Sequence, residues 1–388
     1  MAGLIIHTVD ENESLYDIAR KYNTSAAQLA ENNGLWEGER LIIGEELIVP
    51  IPTRTYTVKN GDTLGSIARR FGVKKQELLS INPSLFGKDD IYPTKSLAIK
   101  YEKENLGMAA ANGYLSEKCP TDAFYRVLPY LVYVTLGGAV TDGESVYPPK
   151  RSREIAAEIK RHNRLPLLRI YDKTDGAFLC SKTRRSNLCD SIIDTTRDEG
   201  FLGVVLVSAA SAKAEYRDFL LELRKRMIGS ELILLTECCG EFPSAELTDG
   251  NILVFSKIDG DIGEPFDKFE GKILSEYAER SESSKTFVDL CAHAYDGGNF
   301  IPLKKLRGEL SHGEKIHTDK NSLISSYKHR GGSVYFESLS NIKAKLEKIG
   351  ELGYMGINVD IENVPTSHLV MYHMMFSPVY HALSYSDI

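Results

Sequence analysis

Near the end of the chain, the ten residues "GINVDIENVP" (356–365) set Asn358, Asp360 and Glu362 at every second position. Successive side chains of an extended strand point to opposite faces, so this spacing predicts three polar groups on one face. Two carboxylates so arranged can divide the work of acid catalysis: Asp360 holds a substrate group while Glu362 protonates a leaving oxygen. That is the chemistry needed to cleave a glycosidic bond. Whether the pair can perform it depends on which element carries it, and so on the organisation of the whole chain.

At 388 residues the chain predicts two or three domains. A hydrophobic content of 42% and a charged content of 26% are those of an ordinary globular protein. The net charge of −7 speaks against nucleic acid as a partner, because phosphate binding wants a basic face. No run approaches the roughly 20 apolar residues of a membrane span, so no membrane partner is expected. The N-terminal residues lack a basic segment and their apolar run stops at Ile6, which reads as a first strand rather than a signal peptide. Synthesis in the cytoplasm without a signal peptide is the expectation. The six cysteines show no CxxC spacing and are expected as reduced, mostly buried thiols. His368, His373 and His381 are too spread to form a metal site, and neither a metal nor a cofactor is expected.

The first hundred residues repeat themselves. "HTVDENESLYDIARKYNTSAAQLAENNGL" and its continuation to Pro50 are followed by "YTVKNGDTLGSIARRFGVKKQELLSINPSL" and its continuation to Lys100. A repeat of this length calls for one supersecondary unit used twice. Each copy opens with a strand and a polar turn. A helix follows with apolar residues at Leu15, Ile18, Ala19 and Tyr22, or at Leu64, Ile67, Ala68 and Phe71, which marks one buried face. Ser14 with Asp17 three residues on predicts a helix cap. A second helix, carrying Leu29 or Leu78 and Leu79, and a closing strand complete a βααβ unit.

These residues resemble LysM modules, with bounds at 4–50 and 54–101. The resemblance implies binding of N-acetylglucosamine-containing glycans such as peptidoglycan or chitin, in a groove between the loop after the first strand and the loop after the second helix. In the second copy the implied binding residues are Gly61, Asp62, Thr63 and Leu64 with Asn82, Pro83 and Leu85. In the first they are Glu13, Ser14 and Leu15 with Asn33, Gly34 and Leu35. Two departures stand out: Asn12-Glu13 replaces the usual Gly-Asp in the first copy, and Thr94-Lys95 stands where a glycine precedes the closing strand in the second. The alternative is that one copy serves only as a spacer.

After a linker at 103–110, β-rich apolar runs recur at 112–115, 130–136, 167–171, 203–208, 232–237, 252–258, 286–292 and 356–361. Amphipathic stretches separate them, and strands alternating with helices predict a parallel sheet. Eight such strands over 109–388 predict closure, since a single barrel takes roughly 250 residues. The fold class is therefore α/β: a (β/α)8 TIM barrel preceded by two small βααβ LysM modules.

This barrel resembles glycoside hydrolase family 18. With the two repeats, the chain is similar to the spore-type N-acetylglucosaminidases that depolymerise cortex peptidoglycan. The resemblance implies a place at the spore coat, cortex or cell wall, with spore coat or cortex proteins as partners. In that family the catalytic acidic motif ends strand 4. Strand 4 is "FLGVVLVSA" (201–209), and the motif's last three positions fall on Val205, Val207 and Ala209, which cannot donate a proton or orient an acetamido group. So few residues follow Glu362 that the opening stretch must belong to strand 8. Other mouth candidates are Asp172, Glu237, Asp259, Asp289, His293 and Asp296, for which pairing with Arg169, Lys257 or helix N-termini is the preferred expectation. Two readings follow. One is a glycan-binding protein with an inactive barrel; the other is an active glycosidase using Glu362 as acid and Asp360 as its helper.

Overall fold

The structure is a computed structural model that describes residues 4–36, 38–85, 89–102, 104–238, 245–254, 270–280, 283–296, 299–310, 314–329 and 332–378. The first repeat comprises β1 (Leu4–Thr8), α1 (Leu15–Lys21), α2 (Ala26–Asn33) and β2 (Glu46–Pro50). The second comprises β3 (Pro52–Thr57), α3 (Leu64–Phe71), α4 (Lys75–Ser80) and β4 (Ser96–Tyr101). In each, the two strands pair antiparallel. A two-stranded sheet is marginal alone, so the helices seal it with their apolar faces, Leu15, Ile18 and Ala19 in one copy and Leu64, Ile67 and Ala68 in the other. Ser14 caps α1 as its spacing predicts: its hydroxyl accepts from the Asp17 N–H while the Asp17 carboxylate accepts from the Ser14 N–H.

The two departures from the repeat pattern have a backbone explanation. Asn12 takes a left-handed conformation (φ 65°) where the second copy has Gly61 (φ 82°), and asparagine tolerates this region better than other side chains. Glu13 then does the work of Asp62: each accepts the backbone N–H three residues before it, and each bonds the ring of the preceding strand, His7 or Tyr56. At the other site Gly44 (φ 83°) matches Thr94 (φ 75°), their N–H groups donating to Val9 O and Val58 O. A β-branched residue in this region is strained by about 1–2 kcal/mol. Thr94→Gly is therefore expected to stabilise the protein by roughly 1 kcal/mol, read as a higher urea midpoint.

The barrel begins with β5 (Met108–Leu115), α5 (Thr121–Val127), β6 (Tyr133–Thr141), β7 (Val146–Tyr147), α6 (Ser152–Arg161) and β8 (Leu165–Asp172). It continues through α7 (Lys182–Asp198), β9 (Gly203–Val207), α8 (Ala214–Met227), β10 (Ile233–Cys238), β11 (Gly250–Leu253), α9 (Glu270–Arg280) and β12 (Thr286–Asp289). An inserted sheet follows: β13 (His293–Tyr295), β14 (Phe300–Pro302), α10 (Leu303–Glu309), β15 (His317–Thr318), β16 (Ile324–His329) and β17 (Gly332–Glu337). The chain returns through α11 (Leu339–Glu351), β18 (Gly356–Asp360), α12 (Thr366–Met375) and β19 (Ser377–Pro378).

Among the described residues, β5, β6, β8, β9, β10, β11, β12 and β18 are parallel neighbours, and β18 pairs back to β5, so the eight-stranded barrel closes. β9 is its fourth strand and β18 its eighth, as the strand count predicts. Several boundaries differ: the second strand is Tyr133–Thr141 against the expected 130–136, and the seventh, Thr286–Asp289, stops short of the expected 292. The first strand starts at Met108, inside the stretch read as a linker, because Leu106 and Ser377 hold that stretch by backbone bonds between it and the end of α12. The sixth strand ends at Leu253; residues 255–258, expected to continue it, lie outside the described residues. Inner positions near the barrel floor are apolar, with Tyr133 edge-on to Phe287 beside Leu167, Val205, Leu235 and Ile252. The alternate positions, such as Val204 and Leu206, pack outward on the helices.

The insertion is antiparallel, in the order β14-β13-β17-β16-β15. A buried triad fixes it to the barrel: Lys345 Nζ lies 2.8 Å from Glu337 Oε1 and 3.2 Å from Glu270 Oε1, and Asn341 donates to Glu270 Oε2. The insertion also grips the first repeat. Arg307 pairs with Glu39 and Glu45 and donates to Arg40 O, Lys315 pairs with Glu11, and the Ile316 N–H donates to Ile43 O at 2.9 Å. Gly44 allows this approach, since a Cβ there would lie 1.9 Å from Ile316 O. The second repeat docks on the barrel side, with Tyr130 Oη donating to Ser80 O and Gln76 to Pro129 O.

Candidate functional site

The C-terminal ends of the barrel strands form the mouth, where barrel sites are built. The fourth strand brings no ionisable side chain to it. Val205 is fully buried in the apolar floor, Val207 is part-exposed at the strand end, and Ala209 is exposed in the following turn.

The opening motif is divided by the end of its strand. Asn358 and Asp360 share the inner face of β18, but the strand stops at Asp360, and Glu362 sits in the turn beyond it rather than on the same face. Asp360 accepts from the N–H groups of Glu362 (2.9 Å) and Asn363 (3.3 Å), from Asn363 Nδ2 (2.7 Å), and from the Tyr114 hydroxyl. Glu362 Oε1 accepts from the Ser116 N–H at 2.7 Å. Both carboxylates thus close turns between the eighth and first strands.

The remaining candidates are similarly engaged. Asp172 accepts from Thr174 N–H and Oγ1, Gly176 N–H and Ser208 Oγ, and so shapes the loop after β8. Glu237 is held by Arg169 through two parallel bonds of 2.7 Å. Asp296 closes a turn to Asn299, and His293 stands edge-on to Phe300. Asp259 and Lys257 lie outside the described residues. What alternation does not reveal is a polar chain across the barrel: Thr135 donates to Asn112, Asn112 to Asn358, and Asn358 to Asp289. Exposed Tyr171 (44%) and Tyr147 (52%) also stand on this side of the barrel.

Asp289 is the group in the mouth with the clearest displaced titration. Asp289 is partly buried, and protein atoms surround its carboxyl. Burial pushes it up to about 8, with Glu237 and Glu337 adding and Asn358 and Lys345 opposing. A carboxyl whose folded value lies above the unfolded value, about 3.9, binds its proton more tightly when folded. Stability from this site is full below about pH 4 and falls as pH climbs towards 8. Asp289→Asn should remove that slope: its melting temperature should exceed that of the natural protein at pH 8 and match it near pH 4, as measured by calorimetry.

In the repeats, most of the assigned glycan-binding side chains are framework. Asn82 donates to Leu78 O and Ala98 O and accepts from the Ala98 N–H; Asn33 does the same with Leu29 O and Ile48. Leu15, Leu64, Pro83 and Leu85 are buried, Glu13 and Asp62 brace their loops, and Ser14 and Thr63 cap helices. What faces outward in the second copy is the loop at Gly61–Thr63, with open space beside Gly61. In the first copy Gly34 is exposed but looks towards Thr366 of the barrel.

The family model for the LysM domain matches residues 7–50 and 56–100. Those two segments are LysM domains. The sequence is similar to YdhD of Bacillus subtilis strain 168, provisionally named a sporulation-specific glycosylase, at 26% identity over 257 residues, 60% of this chain and 57% of that protein. The chain is also 32% identical over 120 residues to the cell wall-binding protein YocH of the same strain, 30% of this chain and 39% of that one. The chain thus spans 57% and 39% of the lengths of these relatives. In fold it is similar to the spore cortex-lytic enzyme SleL of Bacillus cereus, with a TM-score of 0.73 and 18% identity over 97% of this chain and 99% of that one. That likeness extends through both LysM domains and the barrel. Among the described residues, no helix is long and apolar enough to cross a membrane, and no cluster of side chains is suited to a metal.

Proposed function

We propose that this chain is a wall-glycan-binding protein whose LysM domains hold N-acetylglucosamine-containing peptidoglycan or chitin and whose barrel does not hydrolyse it. The observation that carries the reading is the apolar end of the fourth strand, Val205, Val207 and Ala209. It is supported by the engagement of Asp360 and Glu362 in turns. The likeness to SleL, YdhD and YocH supports a place at the spore or cell wall, with cortex or coat proteins as partners. Acid catalysis is worth roughly 10²–10⁴ in rate, and the end of the fourth strand carries no side chain that can supply it.

The full chain should therefore sediment with insoluble peptidoglycan, yet release no N-acetylglucosamine from cortex fragments or chito-oligosaccharides. Glu362→Gln should behave identically. Turnover by the natural protein that vanishes in Glu362→Gln would establish the opposite reading, a glycosidase with a relocated acid.

A further inference from the structure

The LysM domains do not simply project from the barrel. The loops after their second helices converge on one cavity of about 470 Å³, walled otherwise by α10, the β17–α11 junction and the start of α12. That volume lies within the roughly 300–1,000 Å³ usual for small-ligand sites. Exposed Gly34, Asp122 and Lys304 line its edge, so it is reached from solvent.

Two of its lining side chains are almost wholly buried and keep a polar atom without a partner. Glu337, 3% exposed, offers Oε1 to Lys345 and leaves Oε2 unbonded; His368, 3% exposed, leaves Nδ1 unbonded. Ser84 Oγ, from the second LysM domain, is a third such atom. A buried polar atom left without a partner is costly, and a ligand group that bonds it recovers that cost. Burial, with Lys345 adding, pushes His368 down to about 3, so its ring is neutral. The nearby arginines are already committed: Arg126 donates to Val364 O and Thr366 Oγ1, and Arg307 is paired with Glu39 and Glu45.

Two further features define the ligand. The ten-residue helix α12 starts after Pro365 with no side-chain cap, so its first turn has N–H groups to offer a carbonyl. Leu35, Leu306, Phe336 and Leu339 supply apolar wall. Hydroxyl groups around a ring with an apolar face, together with one amide carbonyl, answer all of these demands. We propose that the cavity binds one N-acetylated amino-sugar unit of a wall glycan. Its hydroxyls bond Glu337, His368 and Ser84, and its acetamido oxygen accepts from the first turn of α12. The proposal rests on the glycan-binding reading of the LysM domains and adds barrel residues to it.

The test uses the full chain with the β1,4-linked trimer of N-acetylglucosamine, and the glucose trimer as a control lacking acetamido groups. Hydrogen exchange should slow at the amides of Thr366 and Ser367 with the first sugar and not with the second. Ser84→Phe, which fills the cavity from a half-buried turn, should abolish that protection and weaken trimer binding by about tenfold or more. Sedimentation of the natural protein with peptidoglycan reports the LysM reading separately. If the trimer binds and peptidoglycan is held, but protection is absent or is unchanged in Ser84→Phe, the cavity proposal falls and the LysM reading stands. If neither sugar polymer is bound, both fall together.

Discussion

Replacing Lys345 by methionine is expected to destabilise the protein by about 3–5 kcal/mol at neutral pH, the usual consequence of breaking a buried ion pair from one side. Lys345 has no exposed surface, and it stands between Glu337 and Glu270, both nearly buried. Burial opposes its charge, but the two carboxylates outweigh burial and hold it protonated. Methionine removes the cation and leaves two carboxylates facing each other. Burial already pushes Glu337 up to about 7 against the pull of Lys345, and without the lysine it rises further. A folded value above the unfolded one means that the penalty is absent below about pH 4 and grows as pH rises through the folded value. The loss in Lys345→Met should accordingly be smaller at pH 5 than at pH 8, measured by urea unfolding at both. Adding Glu337→Gln to Lys345→Met should recover part of it; failure to do so would show that the triad's charges are not what the methionine disturbs.

Asn82→Ala should cost about 3 kcal/mol, because one buried amide serves two carbonyls and one N–H of the second LysM domain, and each buried group left unsatisfied costs about 1–3. The bonds are 2.8 to 2.9 Å long and join the end of α4 to β4, the two halves of the domain. Asn33→Ala breaks the same set in the first domain, but Asn33 is only half-buried and water can replace part of what is lost. Urea midpoints should rank the natural protein above Asn33→Ala and Asn33→Ala above Asn82→Ala. Equal midpoints for Asn82→Ala and the natural protein would return Asn82 to the role of a ligand contact.

That role illustrates what the sequence makes legible. The repeat announces where an asparagine must stand, but not whether its amide meets a sugar or its own backbone, since both demand the same residue. The barrel strands were countable because parallel strands covered on both faces are near-continuous apolar runs, so the fourth and eighth fell where expected. The inserted sheet had no such signature: its strands are short, antiparallel and of mixed polarity, as in "ISSYKH" and "GSVYFE". Alternation also cannot show where a strand stops, which is why Glu362 looked like a partner of Asp360 on one face. The expectation of mostly buried thiols fails in part: Cys189 is buried, but Cys180 is exposed and Cys119 and Cys291 are intermediate. Cys180 ends a short turn at the surface, where residue type alone predicts nothing about burial.

The clamp of Arg307 and Lys315 on the first LysM domain has a geometric consequence for any two-point attachment. Modules on a flexible tether can search for a second contact, and their effective concentration depends on tether length. Here β2 and β3 follow one another directly, and each LysM domain is bonded to a different part of the barrel body. The spacing between attachment points is therefore set by the fold. Gly44, by admitting Ile316, helps to fix where the first LysM domain stands against the inserted sheet.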